Sequence, residues 1–245
     1  MKLLYIVPHR TSDLKKNEFY IRGLRRTFRS VGRADTTVKI QGLSERVGPT
    51  ADVVYWQNHP RIVADMVERV KKLPSGRFDA IIIGDVGLVE AKYALRELLD
   101  IPVVHAGQAG LTLSQLLGER FTMLTYDEKV AAWLLRILRE YALEDRCASV
   151  RAVNVDLQTV ISGGNRELIY RRMLKEAKEA IATDRAEVIF MASAGFASLA
   201  DHLRKRIRAP VVEPVEAALK IAEMLVDLWK AKSLSHSKVA TWMYP

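Results

Sequence analysis

One passage of this chain is written twice. Asp79-Ala-Ile-Ile-Ile-Gly-Asp-Val-Gly87, then Ile101-Pro-Val-Val104 and Gln108-Ala109, returns as Glu187-Val-Ile-Phe-Met-Ala-Ser-Ala-Gly195, Ala209-Pro-Val-Val212 and Glu216-Ala217. Every match falls at one offset, 108 positions (79 to 187, 101 to 209, 108 to 216). An acidic residue opens an apolar run of strand length, small residues close it, and a helix-like stretch leads to a short Pro-Val-Val strand. A unit repeated at fixed spacing implies two similar lobes related by pseudo-symmetry. Their equivalent strand-end turns are then expected to face each other across a cleft. Asp85 in one turn stands where Ser193 stands in the other, so these two are the first candidates for chemistry.

At 245 residues the chain can bury a substantial core as one large domain or two small ones. Apolar residues make up 49% and charged residues 27%, the balance of a soluble globular protein. No apolar run approaches the roughly 18 residues needed to span a bilayer, and no signal-peptide pattern precedes the strand-like Leu3-Leu-Tyr-Ile-Val7. A cytoplasmic protein without a membrane partner is therefore expected. The single cysteine, Cys147, excludes an internal disulfide framework and a cysteine-rich metal site. No His/Asp/Glu set has metal-ligand spacing, so no metal is expected. The net charge of +9 raises a nucleic-acid role. The basic residues are spread along helical faces, however, and no nucleic-acid-binding motif is present. A solvated basic surface that also draws an anionic small substrate is the reading adopted. Only nine residues are Asn or Gln, while Arg and Glu abound, a bias of heat-adapted proteins.

Strand and helix patterns alternate throughout. Strands are expected over 3–7, 36–40, 80–83, 103–105, 121–125, 149–153, 188–191 and 211–212. Helices are expected over 18–31, 60–73, 89–99, 109–117, 127–141, 166–182, 198–207 and 215–232. Such alternation defines an α/β fold, with each lobe a parallel sheet flanked by helices and a cleft between the lobes. The expected division is residues 1–108, completed by the helix 215–232, then residues 109–214, then a tail, 233–245, in which Trp242 and Tyr244 can pack against a neighbouring lobe or protomer. In open α/β sheets ligands sit beyond the carboxyl ends of the strands. That rule singles out the segments 8–12, 84–87, 105–108, 125–127, 192–195 and 213–216. A long loop over 42–59 is of the kind that covers a site, and its Tyr55, Trp56 and His59 are candidates for a pocket wall.

Order and spacing of these motifs resemble the aspartate/glutamate/hydantoin racemase superfamily, whose relatives include maleate isomerase and arylmalonate decarboxylase. Gly48-Pro49 and Phe78-Asp-Ala-Ile-Ile-Ile83 look like the corresponding passage of hydantoin racemases. Gly87-Leu88 and Pro102-Val-Val104 fit the next stretch of those enzymes. Leu117-Gly118 with Arg120-Phe121 fits the opening of the second lobe, and the stretch Ala186 to Gly195 is similar to the family's second strand-end turn. Thr125-Tyr126 looks like the Tyr-bearing turn of the decarboxylase branch. The resemblance implies a cofactor-independent enzyme in which two cysteines, one per lobe, work on opposite faces of the substrate's α-carbon. Neither cysteine is present here. Ser193 occupies the second position, and the repeat register puts Asp85, or its neighbour Gly84, at the first.

That departure changes the chemistry. A serine hydroxyl is a far weaker acid than a thiol, whose reference pKa is near 8.5. Asp85 can serve as general base if burial raises its pKa, and Ser193 can donate a hydrogen bond or, beside a base, act as nucleophile. The structural alternatives are that Asp85 caps the following helix and that Ser193 is a small turn residue. The resemblance further implies that backbone amides in the turns hold a substrate carboxylate and the enediolate it forms. Gly84, Val86, Gly87, Ala194 and Gly195 are the candidates for that cradle, against close helix–sheet packing. His105, His9, Thr125 and Tyr126 are further substrate-binding candidates. The expected function is an isomerase-like reaction on a small carboxylate-bearing substrate, in a homo-oligomer. A decarboxylase, a hydrolase or a non-catalytic carboxylate-binding protein on the same fold are the alternatives.

Overall fold

In the computed structural model, which describes residues 1–197 and 199–238, the two halves build two parallel four-stranded sheets. The first contains β1 (Lys2–Arg10), β2 (Thr37–Leu43), β3 (Ala80–Ile83) and β4 (Val103–His105) in the order β2-β1-β3-β4. The second contains β5 (Phe121–Thr125), β6 (Cys147–Ala152), β7 (Val188–Met191) and β8 (Val211–Val212) in the order β6-β5-β7-β8. Register is equivalent in the two sheets: β1 pairs β3 with Leu3 beside Ala80, and β5 pairs β7 with Phe121 beside Val188, the residue 108 positions after Ala80. Central strands are buried from end to end, Ala80–Ile83 and Val188–Met191 without exception, which is why they read as unbroken apolar runs. Each large aliphatic side chain buried there stabilises the fold by about 1.5–3 kcal/mol.

Helices cover both faces. They are α1 (Thr11–Lys16), α2 (Glu18–Val31), α3 (His59–Lys71), α4 (Val89–Leu98), α5 (Ala106–Leu117), α6 (Glu128–Glu140), α7 (Leu157–Ser162), α8 (Arg166–Ala182), α9 (Ala200–Arg204) and α10 (Pro214–Lys232). The expected loop over 42–59 contains three short 3-10 turns, Glu45–Val47, Thr50–Val54 and Trp56–Asn58. Two short helices, α1 and α7, were not anticipated. The helix expected over 198–207 reduces, among the described residues, to α9. Ser198 and the Trp242/Tyr244 pair lie outside the described residues. No described helix is long and apolar enough to cross a membrane.

The last helix of each half crosses to the other half. α5 packs against β7 and β8, α10 packs against β3, β4 and α2, and the two helices pack on each other. Glu223 of α10 fixes this placement: its Oε1 accepts from the Arg33 N–H at 2.8 Å and the Thr36 hydroxyl at 2.7 Å. The repeat extends to side-chain detail. Arg96 donates through Nε and Nη2 to the Val103 carbonyl at 3.1 and 3.0 Å, and through Nη2 to Gln108 Oε1 at 2.9 Å. Arg204, 108 positions on, makes the same bonds to Val211 at 3.3 and 2.9 Å and reaches Glu216 Oε1 through Nη1 at 2.9 Å.

Candidate active site

Both conspicuous turns form where a buried strand hands over to a helix, and each is closed by its own polar side chain. Asp85 Oδ1 accepts from the N–H groups of Gly87 and Leu88 at 2.6 and 2.7 Å, tying the turn ahead of α4. Only Oδ1 has these donors, so Oδ2 is available for proton transfer. Burial raises the Asp85 carboxyl above its ordinary value; the two amides and the nearby His59 oppose the shift without cancelling it. Ser193, almost fully buried, accepts from the Gly195 N–H at 3.1 Å, which leaves its own hydroxyl proton free to point elsewhere.

These closures engage three of the amides expected in an anion cradle. Gly87 donates to Asp85, Gly195 donates to Ser193, and Gly84 donates to the Ile6 carbonyl at 2.8 Å. A turn that satisfies its own amides has fewer to offer an anion. In the first turn, the Val86 N–H remains without an acceptor among the described residues. What Gly84 and Gly87 provide is space. A Cβ at Gly84 would overlap the Tyr5 ring, and one at Gly87 would overlap the Trp133 indole of α6. Ala194 is buried at the start of the second turn.

Three phenols surround Asp85. Tyr5 of β1 and Tyr20 of α2 come from the first half, Tyr126 from the second, and the Asp85 charge acts on all three. Burial first, and that charge in addition, raises each phenol, so all three stay protonated donors at neutral pH. The Tyr126 ring meets Phe196, three residues beyond Ser193, edge to face at 6.4 Å. The Thr125 hydroxyl, the Nδ1 of His9 and the Nε2 of His105 are buried without a hydrogen-bond partner, and the buried Tyr5 hydroxyl has only its neighbour Tyr20. Orphaned polar atoms are rare in a folded interior; His9 and His105 lie at the ends of β1 and β4, the strands that flank β3, and Thr125 ends β5, beside the β7 end that leads to Ser193. His9, its ring 5.9 Å from that of Tyr20, is pushed down to about 4 by burial, with Asp13 opposing, and is neutral.

His105 takes a different place. Its Nδ1 accepts from the Gln108 N–H at 3.2 Å as the N-cap of α5. Burial, then the nearby Lys92 and Arg96, push it down to about 3. The Gln108 bond makes it a helix cap, while its Nε2 stays buried and unpaired. Its repeat partner is Glu213 (105 to 213), which caps α10 by accepting from Val215 and Glu216 at 3.0 and 2.9 Å. Full burial pushes Glu213 up to about 8. Tyr5, Tyr20, Trp133 and Glu213 were not foreseen as site residues. Glu213 was discoverable as the register mate of His105, and the two tyrosines only as hydroxyls in otherwise apolar patterns.

A cover spans the two halves. His59, buried, binds the Val53 carbonyl through Nε2 at 3.0 Å and lies 4.7 Å from the Trp133 ring. Trp56 lies 6.2 Å from Trp133 and carries Arg136 of α6 on its face at 4.0 Å, while Lys129 sits over Tyr55 at 3.5 Å. The 44–58 segment thereby roofs the Asp85 turn from the first half while gripping α6 of the second.

Two parallel sheets with exchanged closing helices, and a polar residue at the equivalent strand end of each, define a pseudo-symmetric racemase-type isomerase. The chain belongs to the Asp/Glu/hydantoin racemase family, whose model matches residues 17–222. It is 30% identical to a hydantoin racemase of Pseudomonas sp. (strain NS671), over all of this chain and 92% of the relative. An allantoin racemase from Pseudomonas fluorescens superposes with a TM-score of 0.82 at 27% identity, covering all of this chain and 97% of the other. A maleate isomerase from Pseudomonas putida S16 shares the fold, with a TM-score of 0.67 at 16% identity over 93% of each chain.

Proposed function

We propose that the chain interconverts or exchanges a proton at an acidified carbon of a small substrate, with Asp85 as the base. The observation that carries this is the Asp85 carboxyl itself. One oxygen is anchored by two amides, the other is unencumbered, and burial brings its proton affinity up toward the working pH. The unpaired Thr125 hydroxyl and the protonated Tyr5 hydroxyl supply hydrogen-bonding groups for a developing enolate oxygen. Ser193 is assigned to the opposite face.

The substrate we favour is a hydantoin-like cyclic ureide rather than a free carboxylate. The names of the relatives, hydantoin racemase and allantoin racemase, support this. So does the cluster, whose phenols and His9 are neutral. A neutral ring of alternating N–H and C=O groups matches such a wall better than an anion does. The test is proton exchange in D2O, followed by NMR, with enantiopure 5-substituted hydantoins, allantoin, amino acids and small dicarboxylates. Exchange with a cyclic ureide is expected, and Asp85→Asn should slow it by about 10²–10⁴-fold with the fold intact. Absence of exchange across the whole panel, or full activity in Asp85→Asn, overturns the assignment.

A further inference from the structure

Several arginines elsewhere in the molecule are neutralised: Arg10, Arg69, Arg139, Arg151 and Arg204 each hold a carboxylate within 3.1 Å. The outer face of α2 is different. Arg22, Arg25, Arg26 and Arg29 lie on successive turns, all exposed, and none has an ion-pair partner among the described residues. Arg25 and Arg29 of this stripe lie on one wall of two open grooves whose other wall is β2, the edge strand of the first sheet. One groove, of about 550 Å³, runs between Arg25 and Lys39 to Gly42. The other, of about 490 Å³, runs between Arg25, Arg29 and Thr36 to Val38. Arg25 is common to both, so they follow one another along the strand. Glu18 is the one carboxylate among the residues lining them.

We infer that this edge is a docking groove for an extended acidic segment of another polypeptide, which adds to the sheet beside β2. Two independent features select that occupant. Residues 37–41 of β2 are exposed or half-buried, with their outer N–H and C=O groups in the alternating pattern that a further strand pairs with. The stretch spans about 16 Å at about 3.3 Å per residue, enough for five or six residues. The wall above it is cationic, with Lys39 on the strand itself. A second copy of this chain would set Lys39 and the arginines against their own kind, so self-pairing at this edge is opposed. A nucleic acid can neutralise the arginines, but its donors and acceptors do not alternate at strand spacing to match the β2 backbone. An acidic strand satisfies both charge and backbone.

The experiment uses the intact chain and a fluorescent octapeptide of alternating Glu and Val, read by anisotropy. Its controls are the same peptide N-methylated at alternate residues, a Lys/Val peptide, and single-stranded RNA of equal charge. Binding of the Glu/Val peptide is expected, weakening steeply as salt rises from about 50 to about 300 mM. Arg25→Glu/Arg29→Glu and, separately, Lys39→Glu should each weaken it by about tenfold or more; these residues are exposed, and the second variant guards against misfolding of the first. N-methylation should abolish it. No binding at low salt, equal binding by the charge-reversed proteins, equal binding of the N-methylated peptide, or tighter binding of the RNA would each overturn the proposal. None of these readouts involves turnover, so the result is separate from the function proposed above.

Discussion

At the scale of single residues, the proposed chemistry turns on the inequality of Asp85 and Ser193. Racemisation removes a proton from one face of a carbon and delivers one to the other. Two thiols share that work symmetrically; a carboxylate and a hydroxyl do not, because the hydroxyl gives up its proton far less readily. A proton taken by Asp85 and returned by Asp85 restores the original hand. With Asp85 as the base, isotope exchange must therefore outrun inversion. In D2O, deuterium should enter an enantiopure hydantoin faster than optical rotation is lost, and Ser193→Ala should depress inversion further while leaving exchange largely intact. Equal rates of exchange and inversion in the native protein would show that the second face is served as efficiently as the first. The two candidate positions were legible from the repeat, since they are 108 residues apart in otherwise matching turns. Tyr5 and Tyr20 were not, because a buried strand and the inner face of a helix accept tyrosine as readily as phenylalanine. Only the fold shows where their hydroxyls end.

At the scale of elements, the alternation of strands and helices was readable because parallel strands buried on both faces leave unbroken apolar runs. The six-residue helices α1 and α7 were not, since helices that short owe their stability to packing rather than propensity. A local trace of α7 does exist: Asp156 caps it, accepting from the Thr159 N–H at 2.9 Å. The caps of the two exchanged helices illustrate how a repeat diverges. His105 caps α5 and Glu213 caps α10 at the same place in each unit, but they titrate in opposite senses. Glu213 has its proton affinity raised from 4.5 to about 8 by burial, so the folded state binds more protons than the unfolded one between those values. Stability is then full below about pH 4.5, falls as pH rises toward 8, and changes no further from this group above it. Thermal melts of the native protein should lose Tm across that window, and Glu213→Gln should flatten the profile. A slope unchanged in Glu213→Gln would assign the pH dependence to other groups.

At the scale of the whole molecule, the exchanged helices make the halves inseparable. α10 leaves the second half and covers β3 and β4 of the first; α5 leaves the first and covers β7 and β8 of the second. Further bonds join the halves away from this pair. Gln158 donates to Asn17 at 3.2 Å, Trp133 fills the hollow at Gly87, and buried Lys92 of α4 donates to Tyr141 at the end of α6 at 2.9 Å. Melting either half alone would strip the apolar covering from a sheet of the other, at a cost that scales with the area exposed. Two lobes so joined should unfold in one step. Calorimetry is expected to give a single transition, its calorimetric and van't Hoff enthalpies equal. A chain ending at Glu213 should lose the order of both halves, because β3 and β4 would lie bare although every residue of the first half is present. Two separate transitions, or a truncated chain with a natively folded first half, would mean that each sheet holds its own core and that the cleft between them is free to open and close as a hinge.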